Sequence, residues 1–177
     1  MKKTINLWQL MGFAVTSLLG TLLHYLYDWT GEATWAALFS GINESTWEHM
    51  KLLFVPMFLF AILQSFFAGR EFENFWCVKL QGILLGILLI PTLFYTLNGA
   101  FGKTPDWINI AIFFVSAAVA YVYETRQFSL GTTPTKHPKR GLVILVGIAA
   151  LFVLFTFMTP TIPLFKDPIT GVYGLGK

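Results

Sequence analysis

Five long stretches of the chain are apolar on every side of a helix, and most charged residues lie between them. The stretches run over residues 7–27, 50–68, 75–98, 107–124 and 141–159. Each approaches the roughly 20 residues that a helix needs to cross the hydrocarbon core of a bilayer. A barrel strand would be shorter and would alternate apolar with polar positions. The pattern therefore predicts an all-α fold, a single bundle of five transmembrane helices followed by an outer tail over 160–177.

The composition supports insertion into a membrane. Of the 177 residues, 55% are hydrophobic and only 12% are charged, whereas soluble chains are about a quarter charged. The net charge of +3 is not arranged as a basic stripe with interleaved aromatic residues, so a nucleic-acid partner is not expected. The expected partners are membrane lipids, a second copy of the chain or other membrane subunits. Cys77 is the single cysteine, which excludes an intrachain disulfide.

The loop charges predict the orientation of the bundle. Basic residues cluster before the first stretch and between the fourth and fifth; they are Lys2, Lys3, Arg126, Lys136, Lys139 and Arg140. Short cytoplasmic segments carry an excess of Lys and Arg, so the N-terminus is expected inside and the C-terminus outside. In this arrangement Glu124 is expected to extend to the inner interface beside Arg126, rather than to act as a proton relay.

The first stretch carries small and polar residues at every fourth position. Gly12, Thr16, Gly20, His24 and Asp28 share one face of the predicted helix. Small residues at this spacing allow another helix to approach closely. His24 and Asp28 can touch, and the carboxylate would hold the imidazole in one tautomer if a metal were bound.

The second stretch begins with a run of polar residues. Ser45 and Glu48 have the spacing of a capping box, and Glu44 and Glu48 complement the dipole at a helix N-terminus. Capping accounts for these three residues without any function. It does not account for His49, or for Lys51 one turn inside the helix.

We expect the polar ends of the first two helices to converge near the outer surface of the membrane. A cluster of carboxylates must hold protons, pair with Lys51 or bind a cation. Imidazole and carboxylate groups are ligands of zinc, so the hypothesis includes a divalent metal such as Zn²⁺. The predicted metal ligands are His24, Asp28, Glu48 and His49.

Three further residues belong to the predicted ligand-binding site. Glu44 would lie at its rim, Lys51 would compensate the carboxylates, and Asp167 starts an Asp-Pro turn in the outer tail. The tail keeps enough apolar residues to fold back onto the outer face of the bundle.

Three motifs together resemble an uncharacterised family of small bacterial multi-pass membrane proteins. They are His-x-x-x-Asp at residues 24–28, Asn-Glu-Ser-x-Trp-Glu-His-x-Lys at 43–51 and Asp-Pro-x-Thr-Gly-x-Tyr-Gly at 167–174. The resemblance spans essentially the whole chain. It implies a location in a bacterial cell membrane and brings no activity with it.

The sequence leaves three functions open. The favoured one is binding or transport of a small solute or lipid headgroup at a polar site outside the cytoplasm. The alternatives are a membrane-embedded metal-dependent hydrolase, with its catalytic residues unassigned, and a non-catalytic subunit or assembly factor. No His-Glu-x-x-His, Gly-x-Ser-x-Gly or Walker motif occurs, so whether the chain is an enzyme stays open.

Overall fold

The computed structural model describes residues 2–131 and 137–175. Lys136 and Lys177, which entered the predicted loop and tail, lie outside the described residues. The α-helices are α1 Lys2–Trp29, α2 Thr34–Ala37, α3 Thr46–Phe67, α4 Phe75–Phe101, α5 Asp106–Ser129 and α6 Arg140–Phe157, with 3₁₀ turns at Gly69–Glu71 and Pro163–Phe165. Within this part of the chain, β pairing is limited to one isolated bridge between Lys166 and Tyr173. The predicted all-α fold is confirmed.

Five of the helices, all except α2, are long and apolar enough to cross a membrane. This confirms the predicted number of candidate spans. Helix α1 starts before residue 7, and α4 and α5 continue beyond residues 98 and 124. Backbone hydrogen bonding can continue beyond an apolar stretch, so hydropathy alone does not mark where a helix ends.

The long helices run up and down the bundle. Helix α1 packs against α3 and α5, and α4 packs against α3, α5 and α6. At one end Trp8 stacks on Phe67, with ring centroids 5.4 Å apart. At the other end His24 lies beside His49. We call this second end, which carries residues 30–45, the outer end, following the orientation predicted above.

The small residues of α1 lie where this helix contacts its neighbours. A Cβ added to Gly12 would come within 2.6 Å of the Tyr121 ring, and one added to Gly20 would come within 3.1 Å of the Leu52 carbonyl oxygen. Between them the Thr16 hydroxyl shares a 2.8 Å hydrogen bond with the hydroxyl of Tyr121. Glycine therefore permits the close approach of α1 to α3 and α5.

A buried ion pair joins α4 to α5 toward the inner end. Lys79 Nζ lies 2.5 Å from Glu124 Oε2, and both side chains are at most 2% exposed. Gln9 Oε1 of α1 also accepts from Lys79, at 3.4 Å. The expectation that Glu124 extends to the interface beside Arg126 is wrong. Gly82 leaves the space in which its carboxylate is buried, because a Cβ there would lie 2.8 Å from the carboxyl carbon.

Candidate functional site

Three side chains from three segments converge at the outer end of the bundle. His24 Nε2, near the end of α1, lies 3.4 Å from Glu44 Oε1. His49 Nε2, in the first turn of α3, lies 3.5 Å from Glu44 Oε2. One ligand atom from each of the three residues lies within 4.8 Å of the others. We call this group the His24–Glu44–His49 cluster; its side chains are between 23% and 38% exposed.

The orientation of the His49 ring is fixed by the backbone. Its Nδ1 lies 3.0 Å from the carbonyl oxygen of Ser45. A carbonyl oxygen can only accept a hydrogen bond, so Nδ1 carries the hydrogen. In the neutral ring Nε2 is then an acceptor, and its lone pair is directed to the Glu44 carboxylate. Metal-binding histidines commonly have this arrangement, in which the second nitrogen donates to a carbonyl or carboxylate.

The contact between His49 and Glu44 lacks a hydrogen. With His49 neutral, a nitrogen lone pair and the oxygens of Glu44 face one another with no hydrogen between them. The separations of 3.4 and 3.5 Å are also long for charge-assisted hydrogen bonds, which are usually about 2.7–2.9 Å. A cation shared by the three side chains would fill this gap and remove the repulsion.

The cluster opens into a cavity of about 440 Å³ between α1, α3 and α5. Its lining residues beyond the cluster include Gly20, Tyr25, Leu52, Asp106, Asn109, Ile110, Phe113, Phe114 and Ile169. A smaller adjoining cavity of about 80 Å³ adds Asn98, Lys103, Thr104 and Pro168. Glu44 and His49 line both cavities. The cluster thus has room on one side for a further ligand.

The structure does not bring all of the predicted site residues together. Asp28 is exposed, and among the described residues it forms no ion pair with His24. Glu44, predicted at the rim, instead links His24 to His49. The His24 ring is turned toward the loop before α3, which places its Nε2 beside Glu44 rather than beside the residue one turn along α1.

Glu48 and Lys51 form a separate buried network. Lys51 Nζ lies 2.6 Å from Glu48 Oε2, and it donates to the Ala37 carbonyl and the Thr156 hydroxyl, each at 2.9 Å. Glu48 also accepts from the backbone N–H of Ile42 at 3.3 Å. Neither side chain is directed to the cluster. Together they hold the first turn of α3 against α2 and α6.

Of the two hydrogen bonds of the predicted capping box, the described part of the structure contains only the one accepted by Ser45. The Ser45 hydroxyl accepts from the Glu48 N–H at 3.4 Å. The reciprocal bond of a capping box is replaced, because Asn43 Oδ1 accepts from the Ser45 N–H at 2.9 Å. Glu48 is therefore available to pair with Lys51. The loop containing Glu44 is held by this Asn43–Ser45 contact.

The tail folds onto the outer face and reaches the cavity. Asn43 donates to the Gly174 carbonyl at 2.9 Å, and the Trp47 ring packs on Phe165 with centroids 4.7 Å apart. Residues 166–173 form a hairpin, which we call the tail hairpin; Asp167 N–H donates to Val172 and Gly171 N–H to Asp167. This hairpin places Ile169 on the cavity wall.

Asp167 stabilises the hairpin and also accepts a hydrogen bond from the backbone of Glu44. Its Oδ1 accepts from the N–H groups of Ile169 at 2.7 Å and Thr170 at 3.2 Å. Partial burial by itself would raise the pKa of Asp167, but these hydrogen bonds outweigh it and the pKa lies below its usual value. The side chain is therefore ionised at neutral pH and acts as the acceptor of the turn.

A comparison with protein families matches residues 1–175 to one described as a family of unknown function, DUF6512. The chain belongs to this family. The resemblance to an uncharacterised family, drawn from the three motifs, is thereby confirmed. Neither curated proteins nor solved structures give a match. Membership of DUF6512 assigns no activity to the chain.

Proposed function

We propose that this member of DUF6512 binds a divalent transition metal ion through His24, Glu44 and His49. Two imidazoles and one carboxylate form one of the ligand sets of catalytic Zn²⁺. An open coordination position on the ion would then take a small solute or a lipid headgroup from the adjoining cavity. The protein would act at the membrane surface outside the cytoplasm.

The observation that carries the proposal is the convergence of two imidazole Nε2 atoms on one carboxylate. Around Zn²⁺, nitrogen and oxygen ligands at roughly 2.0–2.1 Å in tetrahedral geometry lie about 3.3 Å apart. His24 Nε2 lies 3.4 Å from Oε1 of Glu44, and His49 Nε2 lies 3.5 Å from Oε2, so each imidazole is near that spacing from one carboxylate oxygen. With one ligand atom taken from each residue, all separations are at most 4.8 Å, and side-chain rotations would bring them to the tetrahedral spacing.

The number of ligands favours a binding or catalytic ion over a purely structural one. Structural zinc sites are usually closed by four protein ligands, whereas catalytic sites have three and leave a position for water or substrate. Here three ligands converge, and the cavity lies beside them.

Metal content tests the proposal directly. The protein is purified in a mild detergent, dialysed against a chelator, reloaded with Zn²⁺ and assayed by elemental analysis and calorimetry. We expect one ion per chain, and we expect Glu44→Gln and His49→Ala to weaken binding at least about 100-fold, the upper range for loss of supporting ligand contacts.

Asp28→Asn supplies the matched control, because Asp28 is exposed and lies one turn from His24 on the same helix. It should bind Zn²⁺ like the unchanged protein. If the unchanged protein binds no metal, or if Asp28→Asn loses as much affinity as Glu44→Gln, the proposed ligand set is incorrect and protons hold the cluster together.

A metal-dependent hydrolase is the second candidate, because Asp106 and Asn109 line the same cavity as the cluster. Zinc makes a bound water a nucleophile near neutral pH, and a nearby carboxylate can act as general base. Hydrolysis of an ester or phosphoester that depends on Zn²⁺, and that Asp106→Asn abolishes without loss of metal, would favour this candidate. Metal binding without turnover would favour the binding role.

A further inference from the structure

We infer that the ligand of the proposed metal site is an amphiphile with an oxyanion headgroup, which enters sideways from the membrane between α1 and α5. The inference rests on the metal binding proposed above and adds the class of ligand and its route. It is drawn from the lining of the larger cavity, which combines the polar cluster with apolar side chains.

The cavity has walls on two helices whose neighbouring surfaces face the lipid. Thr21 and Tyr25 of α1 line one side, and Ile110 and Phe114 of α5 line the other. All four are exposed, and Ile110 is 59% exposed. Apolar side chains exposed on the outer surface of a membrane-spanning helix are solvated by lipid. The gap between α1 and α5 therefore opens toward the bilayer.

Part of the lining of the larger cavity is apolar. Leu52 of α3 and Phe113 of α5 belong to this part. The Phe113 ring packs against Gly20, because a Cβ added to Gly20 would lie within 3.1 Å of two atoms of that ring. A hydrocarbon chain can lie in such a groove without leaving an unpaired polar group buried. A hydrated solute has no hydrogen-bond partners there.

Another part of the lining supplies the polar contacts. It consists of the His24–Glu44–His49 cluster with Asp106 and Asn109, and Lys103 lines the adjoining smaller cavity. Asp167 is also near His49, but its carboxylate is engaged by the backbone of the tail hairpin. A divalent ion would attract an oxygen donor, and Lys103 and Asn109 could bind the remaining oxygens of a phosphate or carboxylate.

The outer tail favours the membrane route over an aqueous one. Pro168 and Ile169 lie at the tip of the tail hairpin; Ile169 lines both cavities and Pro168 lines the smaller one. They present apolar surface at the aqueous approach to the cluster. An amphiphile already in the outer leaflet reaches the metal without passing them.

The test uses the full chain in lipid nanodiscs, loaded with Co²⁺ in place of Zn²⁺, since the visible spectrum of Co²⁺ changes when a ligand occupies the open position. The probes are dodecyl phosphate and inorganic phosphate. We expect dodecyl phosphate to change the spectrum at a total concentration at least about tenfold lower than inorganic phosphate, a difference of about 1.4 kcal/mol.

Two tryptophan variants separate entry through the groove from simple concentration of the probe in the membrane. Ile110→Trp fills the groove, whereas Val122→Trp places the same bulk on another exposed position of α5, outside the cavity lining. We expect Ile110→Trp to weaken the response to dodecyl phosphate about tenfold, the effect of overpacking by about 1.4 kcal/mol. Val122→Trp should leave it unchanged, and both variants should bind Co²⁺ normally.

The outcomes distinguish the two proposals. If Co²⁺ does not bind, the proposed metal site fails and the ligand inference fails with it. If Co²⁺ binds but both phosphates act at the same concentration, or Ile110→Trp and Val122→Trp behave alike, the ligand comes from water and the membrane route is overturned. If Ile110→Trp instead dissociates an oligomer seen by mass photometry, a second copy of the chain covers the groove, which also overturns the inference.

Discussion

Breaking the Lys79–Glu124 pair should destabilise the bundle strongly, and removing the pair as a whole should not. Both side chains are at most 2% exposed, so water cannot replace the lost partner. Phe75, Tyr121 and Phe128 surround the ammonium with ring centroids 5.6–5.8 Å away. Removing one member of a buried ion pair leaves an uncompensated charge and costs about 3–5 kcal/mol.

The two single variants should differ within this range. After Lys79→Met, the buried carboxylate of Glu124 has lost its cationic partner, so we expect a loss near the upper end of the range, about 5 kcal/mol. After Glu124→Gln, the ammonium retains an amide oxygen and Gln9 Oε1 at 3.4 Å. We therefore expect a loss nearer about 3 kcal/mol from Glu124→Gln.

The double variant Lys79→Met with Glu124→Leu should lie within about 1 kcal/mol of the unchanged protein, because an apolar pair of similar volume needs no desolvation. Equilibrium unfolding in mixed detergent micelles measures all three variants, with exposed Arg126→Met on α5 as a control expected within about 0.5 kcal/mol. Losses below about 1 kcal/mol for both single variants, or a double variant whose loss equals their sum, would refute the reasoning.

Two further predictions concern the tail and the orientation of the bundle. Asp167→Ala should loosen the tail hairpin by about 1 kcal/mol and speed hydrogen exchange at the Ile169 and Thr170 amides, which it binds. Folding lowers the pKa of Asp167. The stabilisation that its carboxylate gives the tail hairpin is therefore fully present above the unfolded pKa of about 3.9, and it is lost as the pH falls through the lower folded pKa. Equal hydrogen exchange in the variant and the unchanged protein would contradict this role. A reporter that fluoresces only in the cytoplasm should light up when fused after Arg140 and stay dark after Lys177, and light at both positions would reverse the predicted location of the tail.

The overall fold was predictable because it depends on a property summed over many residues. Each of the five stretches contains enough apolar residues for a span, so no single exchange changes the prediction. The helix-packing face of α1 was also visible, since small residues at every fourth position of an apolar helix are typical of a close helix contact. Helix ends were less predictable, because hydrogen bonding continues past the apolar stretch, as in α5 from residue 124 to Ser129.

The composition of the outer cluster was only partly predictable, because the sequence offers several acidic residues that could lie beside His24 and His49. On the sequence, Asp28 and Glu44 are equally able to reach His24, one along the helix and the other across the loop. The choice is made by Asn43, whose contacts with Ser45 and Gly174 fix the loop. Asn43 and Gly174 are 131 positions apart in the chain. A contact between residues so far apart produces no local sequence pattern from which it could be predicted.

The pairing of Lys79 with Glu124 was not predicted, for a related reason. Each lies near the predicted inner interface, where charged residues usually extend to water. Their pairing depends on the register of α4 against α5, which places Gly82 opposite the carboxylate. A glycine in an apolar stretch signals a close helix contact, but it does not identify the residue that fills the space.

The three polar groups of the bundle differ in how completely their charges are compensated, and this difference singles out the outer cluster. Lys79 is paired with Glu124, and Lys51 with Glu48; in both pairs the opposite charges are buried against each other and have no access to a ligand. The His24–Glu44–His49 cluster contains one carboxylate and two imidazoles, of which one has its hydrogen directed away to a carbonyl. It is also partly exposed and borders the larger cavity. The two buried pairs hold the helices in register, whereas the cluster presents a nitrogen lone pair and a carboxylate to the larger cavity, which is what the proposed cation site needs.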